Sequence, residues 1–306
     1  MALCETLIDR AGSLGVVVKR ADCGTRIVDC GGSRELETGV LLARICLADL
    51  AEVTIIDGER SGASRQVVRV STAEPVLACM ASQYAGWEVK GEKYFAMGSG
   101  PMRAAAAREP LFQHLGYRET ATDCVGVLET GKSPPDAVCR DIAAKCGVAA
   151  DRLTLLFAPT RSLAGTLQVV ARSVETALHK LHELGFDLHR VVAGVGTAPL
   201  PPLAGDDLAA IGRTNDAVLY GGEVTLDVRG DDASLAEIGP RTPSSASPDY
   251  GRPFGEILAA CDNDFYRVDP LLFSPARVTF CNVDTGTTFD FGAVNDDVLA
   301  ASFAAA

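Results

Sequence analysis

Arg172 and Glu175 stand three residues apart in the stretch Pro159–Leu184, PTRSLAGTLQVVARSVETALHKLHEL. A carboxylate can take up a proton, and a guanidinium beside it favours its ionised form. The same spacing is also that of an exposed i,i+3 ion pair worth only a few tenths of a kcal/mol, and spacing alone favours this plainer reading. Two further polar clusters carry arginines: Arg213 in GRTNDA, with Thr214, Asn215 and Asp216, and Arg252 in DYGRPF, with Asp249, Tyr250 and Phe254. With Arg172 they make a set that can gather an anionic group. Each cluster also reads as a turn network in which Asn or Asp satisfies backbone amides.

Other chemistries find little support. The loops GSGPMRA from Gly98 and GVGTAP from Gly194 have prolines, Pro101 and Pro199, where a dinucleotide fingerprint needs other residues, and no GxxxxGK[ST] is present. Each loop is either a tight turn or a ligand-contacting loop. His114, His179, His182 and His189 lack metal-site spacing, and no GxSxG elbow exists. The ten cysteines are scattered without a CxxC, which reads as free thiols in a core and makes structural zinc an unlikely expectation.

A length of 306 residues with 47% hydrophobic residues suits one large core or two domains. The net charge of −12 argues against nucleic acid or an anionic membrane as partner. No run approaches 18 uninterrupted apolar residues, and the start MALCETLIDRAGSLG is acidic where a leader is basic, so the expectation is a cytoplasmic protein.

The elements that must position these residues follow from periodicity. Two strands, GVVVKRAD and TRIVDCGG, meet at a Cys-Gly turn and lead to a helix from about Leu36 to Ala51 and a strand VTIID. The middle alternates strand CVGVLET, a helix from about Asp136 to Cys146, strand RLTLLFAP, one long helix and strand RVVAGVG. In the long helix Leu163, Leu167, Val170, Val174, Ala177, Leu181 and Leu184 share one stripe, with Gln168, Arg172, Glu175, Thr176 and His179 opposite. The helix-then-strand unit around Val40–Asp57 loosely echoes Leu163–Gly196. GTAPLPPLAGDD reads as a functional loop or a crossover between halves, AVLYGGEVTLDV as a strand, PSSASPDYGRPF as a loop into a short helix, VTFCNVDTGTTFDFG as a hairpin, and SFAAA as a frayed end. The class expected is α+β, mixed α/β.

Five segments in order, YFAMGSGP (94–101), FAPTRSLAGTLQVVARSVETALHKL (157–181), GRTNDAVLYGG (212–222), SSASPDYGRPF (244–254) and DFYRVDPLLFSPA (264–276), resemble the methenyltetrahydromethanopterin cyclohydrolase family across essentially the whole chain. Met102 and Ile211 depart from the expected pattern without touching its polar positions. The resemblance implies two α/β subdomains with a substrate cleft between them, roughly 1–100 plus part of the C-terminal third and 101–220 plus the remainder. It implies a homotrimer that needs no metal and no cofactor. The implied reaction is reversible opening of a cyclic methenyl-pterin cation to the formyl derivative, in one-carbon metabolism such as bacterial formaldehyde oxidation.

By the same resemblance Glu175 is the general base and Arg172 tunes it, the guanidinium favouring the carboxylate and burial opposing it. Lys93 is a weaker candidate for that polar site and equally reads as a solvated lysine. Gly98, Ser99, Gly100, Pro101, Gln168, Arg213, Asn215, Asp216, Tyr250, Arg252 and Phe254 are implied to bind pterin and tail, with Gln168 and Asp216 able to bond the ring. The competing class is a C1-pterin carrier of the same fold without turnover. The folate cyclohydrolases are a poorer match because their dinucleotide fingerprint is missing. Arg172 and Glu175 are therefore expected to be substantially buried, lining a pocket with Gly98–Pro101.

Overall fold

The computed structural model describes residues 1–58 and 66–304. By its contacts the chain divides into two compact units, 1–50 with 77–168 and 51–76 with 169–306. This division differs from the expected boundaries near 100 and 220. The chain leaves the first unit for the second after Leu50, past a helix, and again after Gln168, within the last turn of a helix, and these are the two stretches whose sequences echo one another.

The first unit is built on a six-stranded sheet of β1 (Val17–Arg20), β2 (Arg26–Asp29), β5 (Trp87–Gly91), β6 (Tyr94–Ser99), β7 (Cys124–Glu129) and β8 (Leu153–Ala158), in the order β1-β2-β8-β7-β6-β5. The β2/β8 and β8/β7 pairs are parallel and the others antiparallel. Alternate residues of the central strands feed two cores. Ile27, Leu128, Leu155 and Phe157 face one, with Met102 and Ile142 from α4 (Pro101–Ala106) and α6 (Asp136–Cys146). Val28, Val127, Leu156 and Ala158 face the other, with Leu7 and Leu42 from α1 (Ala2–Asp9) and α3 (Leu36–Cys46). A sheet covered on both faces explains why LTLLFA and CVGVL read as unbroken apolar runs. Short helices α2 (Ala11–Leu14) and α5 (Leu111–Leu115) complete the unit. The helix α3 ends at Cys46 rather than near Ala51, because Ala48 and Asp49 adopt positive φ.

The second unit carries a sheet of β3 (Glu52–Asp57), β4 (Gln66–Thr72), β9 (Val191–Pro199), β10 (Glu223–Val228), β11 (Arg277–Asn282) and β12 (Thr288–Gly292), ordered β12-β11-β10-β9-β4-β3. Only β10/β11 is parallel. The predicted β11–β12 hairpin is present. The predicted long helix is two, α7 (Leu163–Val170) and α8 (Ser173–Glu183), interrupted at Ala171–Arg172. Glu175 supplies the acidic first turn that suits the start of a new helix, which has no side-chain cap.

Two further expectations are corrected. GRTNDAVL does not precede or begin a strand but lies inside α9 (Asp207–Leu219), because Asp206 caps that helix by accepting the Ala209 N–H at 2.8 Å, and the strand starts only at Glu223. GTAPLPPLAGDD is no crossover, since both its ends lie in the second unit. Helices α9, α11 (Phe254–Ala260) and α12 (Asp296–Ala304) share a core of Leu219, Phe254, Leu258 and Leu299, while α10 (Asp232–Ile238) follows β10. The expected frayed end SFAAA is helical through Ala304, and Ala305 and Ala306 lie outside the described residues.

Candidate active site

Arg172 and Glu175 are buried, with 8% and 6% of their surfaces exposed, which excludes the surface ion pair that spacing alone favours. The apolar stripe is buried as well: Leu167, Val170, Val174, Ala177 and Leu181 have no exposed surface. Both faces of this segment are therefore out of water. Arg172 is the residue before α8, with φ −90° and ψ 11°, and its carbonyl accepts the Thr176 N–H at 2.8 Å and the Thr176 hydroxyl at 2.6 Å. Glu175 lies in the first turn, where the helix dipole favours a carboxylate over a neutral acid.

The start of α8 is pressed against β9. A Cβ on Gly196 would come within 2.4 Å of the Ser173 hydroxyl, and one on Gly194 within 2.9 Å of Val174. The GVGTAP glycines are thus neither a turn nor a ligand loop. They are the interior of a strand kept bare so that the helix carrying Glu175 can lie on it.

The other residues of the second unit are tied to one another. Asp216 accepts the Phe254 N–H at 2.8 Å, joining α9 to the first turn of α11. Burial pushes its pKa up to about 7, with the Ser302 side chain and the Phe254 amide pulling the other way. The Tyr220 ring lies 5.0 Å from that of Tyr250 at a tilt of 44°, and the Tyr220 hydroxyl donates to the Arg252 carbonyl at 2.6 Å and accepts the Gly251 N–H at 3.1 Å. Arg213 donates to the Pro202 and Leu203 carbonyls, and the Asn215 amide to Ile211 of its own helix. The Arg252 side chain is exposed and Phe254 is wholly buried. The turn-network reading of DYGRPF therefore holds for its backbone, while Arg252 and the half-buried Tyr250 ring retain accessible surface.

In the first unit Gly98 and Ser99 end β6, and Gly100, at φ 87°, turns the chain into α4, with Pro101 as its first residue. The backbone makes a tight turn here. The Ser99 hydroxyl is used internally, 3.2 Å from the Cys46 thiol and 3.4 Å from the Val127 carbonyl. Lys93 is exposed in the turn between β5 and β6, and Gln168 is buried near the end of α7.

Two buried charges escape the sequence reading. Arg103 is fully buried, bidentate to Glu109, donating to the Met80 carbonyl at 2.8 Å and lying over the Tyr84 and Phe112 rings. Lys180 on α8 is 1% exposed and donates to the Leu271 carbonyl. A weak signal for Lys180 exists: at helical spacing it falls at the border of the apolar stripe, between Leu184 on the core side and Thr176 on the polar side. Arg103 sits in an alanine run that offers no such cue. Val76–Gln83 forms a π-helix whose carbonyls help to hold Arg103, a local geometry that periodicity does not reveal.

Comparison with known proteins gives one family throughout. The family model described as "Cyclohydrolase (MCH)" matches residues 1–303. A protein of Xanthobacter autotrophicus named methenyltetrahydromethanopterin cyclohydrolase is 50% identical over 303 residues, covering 98% of this chain and 90% of that one. Proteins of the same name from Methylobacillus flagellatus and Methanosarcina mazei are 46% and 38% identical, covering 98% of this chain and 93% and 95% of theirs. A match unbroken from the first strand to the last helix, with the buried Arg172–Glu175 turn inside it, places this chain in the cyclohydrolase (MCH) family.

Proposed function

We propose that the protein hydrolyses the cyclic 5,10-methenyl-tetrahydromethanopterin cation reversibly to 5-formyl-tetrahydromethanopterin, with Glu175 as general base and Arg172 tuning it. The observation that carries this reading is a carboxylate buried in the first turn of α8, three residues after a buried arginine, within a chain that matches the family over residues 1–303.

The methenyl carbon of an amidinium cation is already electrophilic, so the protein must place a water and move protons. Water adds to that carbon as one of its protons passes to Glu175. The adduct collapses to a formyl group when its hydroxyl proton leaves and the bond to the second nitrogen breaks, that nitrogen taking the proton held by Glu175. One proton is released overall. Arg172 keeps Glu175 ionised and competes with the substrate cation for it, so that the carboxylate does not spend its interaction on the ground state. The scheme uses no metal and no cofactor.

Substrate binding is assigned to the backbone of Gly98, Ser99, Gly100 and Pro101, and to Gln168, Arg213, Asn215, Asp216, Tyr250, Arg252 and Phe254, with Lys93 a further polar candidate. Phe254 and Asp216 act here through the support they give the Tyr250–Arg252 segment. A homotrimer in the cytoplasm, serving one-carbon metabolism, completes the proposal. The test is to add purified protein to the methenyl substrate and follow loss of its chromophore. Accelerated opening is expected; binding with opening at the buffer rate would make the protein a carrier instead. A faster reaction with the methenyl-folate analogue would overturn the choice of pterin.

A further inference from the structure

DFYRVDPLLFSPA is a long polar and aromatic motif that the reaction scheme leaves without a task. Its Asp269 and Leu271 lie at the centre of a chain of bonds inside the second unit. The Lys180 ammonium, on the same helix as Glu175, donates to the Leu271 carbonyl. The Leu271 N–H donates to Asp269 Oδ1 at 3.0 Å, and Asp269 Oδ2 accepts the Ser247 hydroxyl at 2.6 Å. The Ser247 oxygen accepts the Asp249 N–H at 3.2 Å, and the Tyr250 N–H donates to the Ser247 carbonyl at 3.2 Å. The links end at Tyr250, whose ring packs at a tilt against that of Tyr220.

We propose that Lys180 is a positioning residue, a strut that fixes the helix bearing Glu175 to the Ser247–Tyr250 segment through the Asp269–Leu271 turn. This rests on the function proposed above. Three observations favour the assignment. A lysine is almost never fully buried unless its ammonium is held, and this one is held by a backbone carbonyl rather than by an exposed carboxylate. Its charge is expensive there: burial lowers its pKa to about 8 and Arg241 adds to the effect, while Asp269 opposes it. A leucine or methionine would fill the same buried position without that penalty, so an ammonium there answers to something other than packing.

The test uses Lys180→Met and Ser247→Ala, one from each end of the strut, and their double variant. Each single change is expected to lower kcat/KM about 10- to 100-fold, with kcat falling as well as KM rising, because a small misplacement of a base or a substrate contact has effects of that size. The double variant is expected to be no worse than Lys180→Met, the mark of residues acting as one unit. Hydrogen exchange at the Asp249 and Tyr250 amides is expected to quicken in Lys180→Met. Unchanged kcat and KM in variants that merely melt earlier, multiplied losses in the double variant, or unaltered exchange at Asp249 and Tyr250 would each overturn the strut. If Lys180→Met does not fold, Ser247→Ala and exchange along α8 decide the question from the other end. An inactive wild-type protein would defeat the proposed function, whereas an active wild type with unaffected variants defeats only the strut.

Discussion

The carboxylate of Asp216 reaches across from α9 to accept the backbone N–H of Phe254, so a single acid fixes where α11 begins. That acid is buried, and its pKa stands at about 7 against an ordinary value of 3.8. Between these two values the folded chain holds a proton that the unfolded chain has released. Asp216 therefore adds stability below about pH 4, and this contribution is lost as pH rises through about 7. The expected slope is at most about 1.4 kcal/mol per pH unit. Denaturant unfolding of the wild type and Asp216→Asn at a series of pH values checks it: the variant should lose this part of the pH dependence.

Replacement of Glu175 by Gln keeps its size and removes the proton acceptor. In the chromophore assay kcat is expected to fall about 10²- to 10⁴-fold, the usual worth of a general base, with an unfolding midpoint close to that of the wild type. Arg172→Ala should also slow turnover. Unchanged turnover in Arg172→Ala, beside a dead Glu175→Gln, would remove the tuning role from the arginine.

A methyl group on Gly196 would meet the Ser173 hydroxyl at 2.4 Å. Gly196→Ala is expected to destabilise the second unit by about 1–3 kcal/mol and to lower activity by shifting the turn that carries Glu175. Thermal melting and the hydrolysis assay read the two effects separately. A variant as stable and active as the wild type would show that α8 has room to move.

The bidentate pairing of Arg103 with Glu109 holds a fully buried guanidinium in the first unit. Glu109→Gln leaves that charge without its counter-ion and should destabilise the protein by about 3 kcal/mol. Arg103→Met/Glu109→Gln together should recover part of the loss, which a double-mutant cycle in urea measures.

The boundaries of β7, β8 and α6 were legible because unbroken apolar runs and a Pro-Pro start leave little choice of period. What escaped had one of two causes. The helical state of GRTNDA depends on the Asp206 cap, and the break at Ala171–Arg172 on a local turn; a 100° periodicity passes over both, because one apolar stripe runs through α7 and α8. Arg172, Lys180 and Arg103 posed a different difficulty. Charge predicts exposure, and only tertiary partners such as the Leu271 carbonyl or Glu109 reverse that prediction. For Arg172 and Glu175, resemblance supplied the burial that spacing argued against.

The interleaving of the two units has a consequence for how the chain is made. The β3–β4 hairpin leaves the ribosome early, yet β4 pairs Val67 with Pro199 of β9, and in the first unit β2 pairs Arg26 with Thr154 of β8. The first sheet cannot close until β8 is made near the middle of the chain, and the second not until β12 near its end, so β2 and β4 each wait with an unpaired edge. Nascent chains stalled before β8 should therefore be sensitive to protease and prone to aggregate, and a chain cut at the Gln168–Val169 boundary carries β3 and β4 without the β9 strand that β4 pairs with.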